Sequence, residues 1–311
     1  VTADRTPGPW HQSVDAQLAA LAEIVATHTG QIASLGARLD ALEPGGKTGT
    51  IYGAATGNEP AWSALDALVG PMPVRRTFES GFVADFRSSK AWPDVAAGRH
   101  SVWSFKIGGD YLGFIAGSWD NRIHTLLDTI PDGHRVSLVC QHEPENDAGI
   151  VAADWRGTQA RLAVLASMHA APDVLDVVPV LMGWTFNPQS GRDPDDWFDG
   201  SMAANGIRTV GIDEYQPADS TWQAWPVRAA RFTPVVEGWG CKPAICEVGC
   251  PDKGDGTKVT WLRDLEAWAT AHSVPFCTWF NYVSGIMSSD VSYLLDSSPE
   301  VTAEYRRLVA T

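Results

Sequence analysis

From Val14 to Leu42 the apolar positions step by four and three: Val14, Leu18, Leu21, Val25, Ile32, Leu35, Leu39 and Leu42, with His28 occupying one seam position. That stripe is narrow enough to face a partner helix over about four heptads, so it predicts an N-terminal coiled-coil helix rather than an amphipathic helix lying on its own domain. A polar residue such as His28 in the seam fixes register at a cost in stability. Glu43-Pro44-Gly45-Gly46 then breaks the pattern, because proline cannot continue a helix and the glycines favour turns. The organisation read from this is an oligomerisation segment over 1–43, a linker over 44–49 and a second domain over 50–311.

Past the linker the period changes. Short runs fit for buried strands fall near 50–55, 73–78, 101–107, 135–141, 176–183, 207–213, 242–248 and 274–280. Longer helical patterns lie between or after them, at 60–69, 111–129, 155–170, 194–204, 220–237, 257–272 and 299–310. Eight βα units over about 260 residues predict a (β/α)8 TIM barrel. A doubly wound open sheet would carry a glycine-rich phosphate loop after its first strand, and neither G-x-G-x-x-G nor a P-loop occurs there.

Charge narrows the partners. With 23 Lys+Arg against 37 Asp+Glu the chain carries a formal −14, and no dense basic cluster offsets it, which argues against nucleic acid or an anionic membrane surface. No run reaches the roughly 18 apolar residues of a membrane span, and no secretory leader is visible at the N-terminus, so a soluble protein is expected. Five cysteines, an odd number without paired zinc-type spacing, suggest free thiols, three of them in buried strands, and folding in a reducing compartment. No H-E-x-x-H arrangement or calcium loop occurs, so neither a catalytic metal nor a cofactor is predicted.

The chemistry concentrates at two strand ends. Val136 to Cys140 runs into Gln141-His142-Glu143-Pro144-Glu145-Asn146-Asp147, and Lys242 to Cys246 delivers Glu247 before Gly249. Functional groups of a barrel sit at the C-terminal ends of its strands, which places Glu143 after the fourth and Glu247 at the end of the seventh. Cleaving a glycosidic bond needs one carboxyl to donate a proton and another to attack or to activate water, and about 5–5.5 Å between them suits a retaining, double-displacement route. Glu145 is the alternative acid, and Asp213 or Glu214 are further candidates. Trp184 and Trp279, with Trp62 and Trp119 behind them, lie near strand ends where an aromatic face can stack on a sugar.

Glutamates on strands four and seven resemble the large clan of retaining barrel glycoside hydrolases, and His142-Glu143 is similar to the His-Glu of glycoside hydrolase family 26, the mannanase-like family. The resemblance implies Glu143 as acid/base and Glu247 as nucleophile. It also implies Tyr215 as hydrogen-bond donor to the nucleophile and Trp279 as the tryptophan under the sugar next to the scissile bond; His142, Trp184 and Asn281 are expected beside them as substrate-binding residues on a polysaccharide. Where most clan members have Asn before the acid, this chain has His142, which turns the choice toward Glu143 over Glu145. A short coiled coil leading into a glycan-active domain resembles a phage minor tail protein. That analogy implies a homo-oligomer through residues 14–42, a trimer, acting on bacterial surface glycans from a virion tail. The other reading is a non-catalytic glycan-binding module on the same barrel.

Overall fold

The computed structural model describes residues 49–217, 220–284 and 291–311. The heptad segment over 14–42, with the coiled-coil, trimer and tail-protein readings attached to it, lies outside the described residues.

Eight parallel strand positions build the sheet: β1 (Ile51–Ala55), β2 (Val74–Phe78), β3 (His100–Phe105), β4 (Val136–Cys140), β5 in two pieces (Leu175–Val177 and Val180–Met182), β6 (Thr209–Tyr215), β7 (Lys242–Gly249) and β8 (Phe276–Phe280). Each occupies a stretch where the apolar pattern predicts a strand. Neighbours pair in the order β5-β4-β3-β2-β1-β8-β7-β6-β5. Closure depends on the split in β5. Its first piece pairs only with β4 and its second only with β6, so one extended run joins both edges. Pro179 sits at the split, where its missing N–H costs no ladder bond. The Val178 amide reaches back to the Leu138 carbonyl at 2.9 Å, and Gly211 donates forward to Pro179 at 2.8 Å. A sheet closed this way has no exposed edge.

Alternation along each strand sorts side chains into two apolar clusters. Val74, Val102, Val139, Val178, Val180, Ala244, Cys246 and Phe276 fill the barrel, and a larger cluster including Trp62, Trp103, Trp155, Trp225, Trp261 and Trp279 packs the outer face against the helices. The interior is full at its middle: a Cβ on Gly211 would lie 2.5 Å from the Cys246 sulfur and 2.7 Å from Val180. Below that layer the filling turns polar, with His100 Nε2 2.9 Å from Ser137 Oγ.

Helices follow the local signals. Glu59–Val69 starts at Asn58, whose side chain accepts from the Ala61 amide, and Pro299–Ala310 starts at Ser298, which caps Val301. The single helix expected over 111–129 is two, Tyr111–Ile115 and Asp120–Leu127, because Gly117 takes φ +90° between them. The stretch 194–204 likewise divides, into Pro194–Trp197 and Gly200–Ala204, and the helix expected from 220 begins at Trp225. No helix of the described residues is long and apolar enough to cross a membrane. All five cysteines are buried and free.

Candidate active site

At the C-terminal mouth, directly above the valine layer, three inward positions are charged: Arg76 on β2, Asp213 on β6 and Glu247 on β7. Arg76 and Asp213 follow the ordinary alternation from Val74 and Gly211. Glu247 does not, since Cys246 beside it already faces inward. The β6–β7 register slips between Ile212 and Asp213, so that Ile212 opposes Ile245 but Asp213 opposes Glu247. This β-bulge turns two consecutive β7 side chains inward and aims Glu247 into the mouth.

The guanidinium of Arg76, fully buried, forks onto Asp213 at 3.1 and 3.3 Å and lies 3.3 Å from Glu247 Oε1. The other Glu247 oxygen accepts a hydrogen bond from the Tyr215 hydroxyl. Burial pushes Glu247 up to about 7, with Arg76 opposing, Glu143 adding to the rise and the Tyr215 hydrogen bond opposing. Asp213 is pushed well up by burial, against Arg76 and with help from both glutamates. Tyr215 rises as well, through burial and then Glu247, so it stays a protonated donor.

Glu143 approaches from the end of β4. Its backbone is left-handed (φ +51°), as is that of Gln141 (φ +53°), so two strained non-glycine residues bracket His142. The Glu143 amide donates to Val180 O at 2.9 Å, and Asn146 Nδ2 lies 3.3 Å from its carboxylate. Burial raises Glu143 despite Arg76, while the neighbouring Asp213 carboxyl lowers it and is itself raised by Glu143. His142 packs edge-on to Phe78 with ring centroids 5.4 Å apart. Desolvation, with Arg76 and Lys106 adding to it, pushes the imidazole down to about 3, so it is neutral, and its Nδ1 is buried with no partner among the described residues.

The other expected site residues separate by where they point. Glu145 turns away from the mouth and accepts from the Met182 amide at 2.6 Å and from Thr185 Oγ1 at 2.8 Å, which ties the β4 loop to the end of β5. Glu214 faces outward and pairs with Arg228. Trp184, on the turn after β5, is 46% exposed. Trp279 is 0% exposed: it lies on the outer face against Trp261 and Tyr305, its indole N–H donating to Tyr293 O at 2.6 Å, and presents no face to the cleft. Asn281 spends its side-chain oxygen on the Leu295 amide at 2.8 Å. Trp62 is buried beneath Arg75.

The aromatic surface at the mouth comes instead from Phe280 and Tyr282, stacked at 4.2 Å and 22°, with Tyr215 edge-on to Phe280 at 5.4 Å. Sequence reasoning missed these two, together with Arg76. The signal for Arg76 was present, because Arg75 and Arg76 are adjacent in a strand and one of them must face the barrel. Among the described residues no group of three or more His, Cys, Asp or Glu is arranged to hold a metal ion.

No family model and no curated protein sequence matches the chain. Solved structures do. A family 10 xylanase from Thermobacillus composti superposes with a TM-score of 0.56 at 14% identity, covering 84% of this chain and 97% of that one. A fungal β-1,4-galactanase gives 0.55 at 12%, covering 83% and 94%, and a family 26 β-mannanase from Bacteroides ovatus gives 0.50 at 12%, covering 84% and 88%. The fold is shared with barrel glycoside hydrolases. Family 26, which the His-Glu pair brings to mind, is one of several families at this level of similarity, and the fold does not single it out.

Proposed function

We propose that this barrel is a glycoside hydrolase that cleaves a polysaccharide with retention of anomeric configuration, Glu247 acting as nucleophile and Glu143 as acid/base. The observation that carries the reading is the unequal treatment of the two glutamates around one guanidinium. Glu247 has Arg76 on one oxygen and the Tyr215 hydroxyl on the other, donors that favour an anion ready to attack. Glu143 has no ion pair among the described residues, and burial raises it despite Arg76, which suits a carboxyl that donates a proton.

In the first step Glu143 protonates the glycosidic oxygen while Glu247 attacks the anomeric carbon, forming a glycosyl ester and releasing the leaving sugar. In the second, Glu143, now ionised, takes a proton from water as that water displaces Glu247. Neutral His142 and the Phe280–Tyr282 stack offer a polar contact and an apolar face to the sugar being cleaved. Trp184 offers a further stacking face on the rim. Barrel neighbours named for xylan, galactan and mannan cleavage agree with a polysaccharide as substrate class.

Reducing-end release from β-mannans and bacterial envelope glycans, followed by NMR of the first-formed anomer, tests this reading. Retention is expected. Inversion sinks the double-displacement step, and binding without any product would assign a glycan-binding module instead. The acid is tested separately. Glu143→Gln should lose at least ~10²-fold in kcat on substrates with poor leaving groups and far less on activated aryl glycosides, the mark of a missing proton donor. Glu145→Gln should lower stability by about 1–3 kcal/mol through its buried hydrogen bonds to Met182 and Thr185 without that leaving-group dependence. The opposite pattern would make Glu145 the acid.

A further inference from the structure

Beside the β4 loop, on the same face of the barrel as the carboxyl cluster, lies a cavity of about 680 Å³ bounded by the loops after β2, β3 and β4. That is the size of a small-molecule site. Gln141 and Asp147, which flank Glu143 in sequence, form one wall.

The cavity reverses the sign of the molecule around it. Two cations line it, Lys106 and Arg122, against the single carboxylate of Asp147, on a chain whose net charge is −14. Asp147 is already engaged: Lys106 Nζ lies 3.4 Å away, and Gln141 Nε2 donates to the same oxygen. Arg122 is different. Its guanidinium carbon lies 3.9 Å over the Trp119 ring and 4.7 Å from Phe82, while its N–H groups make no hydrogen bond or ion pair among the described residues. The platform beneath it is fixed, because the Trp119 indole N–H donates to Asp110 Oδ2 at 2.8 Å and Phe82 packs edge-on at 5.2 Å. An arginine held by stacking keeps its planar fork presented with little ordering left to lose on binding. In so acidic a protein, a fixed cation without a carboxylate partner has its natural complement in an anion from outside. Gly108 and Gly109 form an open lip, where an added Cβ would meet nothing within 4 Å, so a ligand can come close to their backbone.

We propose that this cavity is a subsite for an anionic sugar residue of the polysaccharide, its charged group held by the Arg122 fork with Lys106 supplying a second positive charge. The proposal rests on the glycosidase reading and narrows its substrate class to acidic glycans. The shared chemistry is an oxyanion on a sugar, and a uronic-acid carboxylate and a phosphate substituent are its two sources.

The test uses the full chain carrying Glu247→Gln, so that binding is read without turnover. Calorimetry would compare hexamers of mannuronic, glucuronic and galacturonic acid with the same hexamers after carboxyl reduction, alongside a phosphorylated mannan oligomer. At least one acidic oligomer should bind about tenfold or more tightly than its neutral counterpart, a preference that narrows as salt is raised from 0.05 to 0.5 M. The uronate and phosphate arms tell which anion is held. Adding Arg122→Ala, or independently Lys106→Gln, should remove most of that ratio, and both side chains are exposed enough for the fold to tolerate the change. Equal affinity for charged and neutral partners in every pair overturns the proposal, as does a loss on Arg122→Ala that falls equally on both. Charge-dependent binding with no hydrolysis of any polymer by the unmodified protein would instead refute the glycosidase reading and leave the subsite standing.

Discussion

Glu247→Gln is expected to lower kcat by at least ~10³-fold, a loss of about 4 kcal/mol in transition-state stabilisation, while making the protein harder rather than easier to unfold at pH 8. The first half follows from removing the group that forms the covalent intermediate. The second follows from the position of that group. Burial lifts Glu247 from 4.5 to about 7, against the pull of Arg76. A carboxyl raised in the folded state contributes its full stability below pH 4.5 and loses it as pH climbs through 7. Glutamine has no proton to lose, so the difference in favour of the variant grows across that window and then levels off. Its ceiling is on the order of 3 kcal/mol, a figure that already contains the opposing pull of Arg76 on the anion. Chemical denaturation at pH 5 and pH 8 checks the sign, and single-turnover rates check the chemistry. A variant that keeps its activity removes Glu247 from the mechanism, and one destabilised at both pH values shows that its contacts are structural. In the unmodified protein kcat/KM should rise through an apparent pKa near 7, which belongs to the coupled group of Glu143, Asp213 and Glu247 rather than to one residue.

The barrel could be read from the chain because its strands are buried on both faces and stand out as apolar runs at regular intervals. Eight were expected, and eight strand positions carry the sheet. Side-chain direction was partly readable as well. Counting alternately from Phe276 puts Thr278 and Phe280 inside and Cys277 and Trp279 outside, and that parity alone assigns Trp279 to the helix layer and Phe280 to the mouth. Glu247 resists the same count, since parity from Ala244 turns it outward, and only the bulge beside Cys246 brings it in. No local pattern in Lys242 to Gly249 announces a register slip, because the slip belongs to the pairing of β7 with β6. Glu143 and Glu145 are separated by a left-handed backbone at Glu143 and a 3₁₀ turn over Pro144–Asn146, a geometry that residue type does not dictate. Arg76 was readable and overlooked: Val74-Arg75-Arg76-Thr77-Phe78 has two adjacent charges in a buried strand. The outward one finds Glu59 and Asp94 beside Trp62, and the inward one needs an acid within the barrel.

That dependence makes Arg76 the position with the largest expected effect on the fold and the site together. Arg76→Met leaves Asp213, fully buried, and Glu247, 6% exposed, facing Glu143 with no cation between them. Breaking a buried pair by removing one partner costs about 3–5 kcal/mol when the remaining charge stays ionised, and less when it can take up a proton. Both carboxyls can, so the penalty depends on pH. Their folded pKa values, already raised, move higher still, and stability held at low pH drains away as pH rises past 4. The variant should therefore unfold close to the unmodified protein at pH 5 and well below it at pH 8. A nucleophile protonated at neutral pH cannot attack, so kcat/KM at pH 7 should fall by at least ~10²-fold and its acid limb should shift upward. Arg76→Lys separates charge from geometry. An ammonium restores a positive charge but not the fork that holds both Asp213 oxygens and still reaches Glu247, so stability at pH 8 should recover more than activity does. A stability loss of equal size at pH 5 and pH 8, with the acid limb unmoved, would mean that Arg76 supports the mouth by packing on Phe78, 4.9 Å away, rather than by setting the charge of the carboxyls around it.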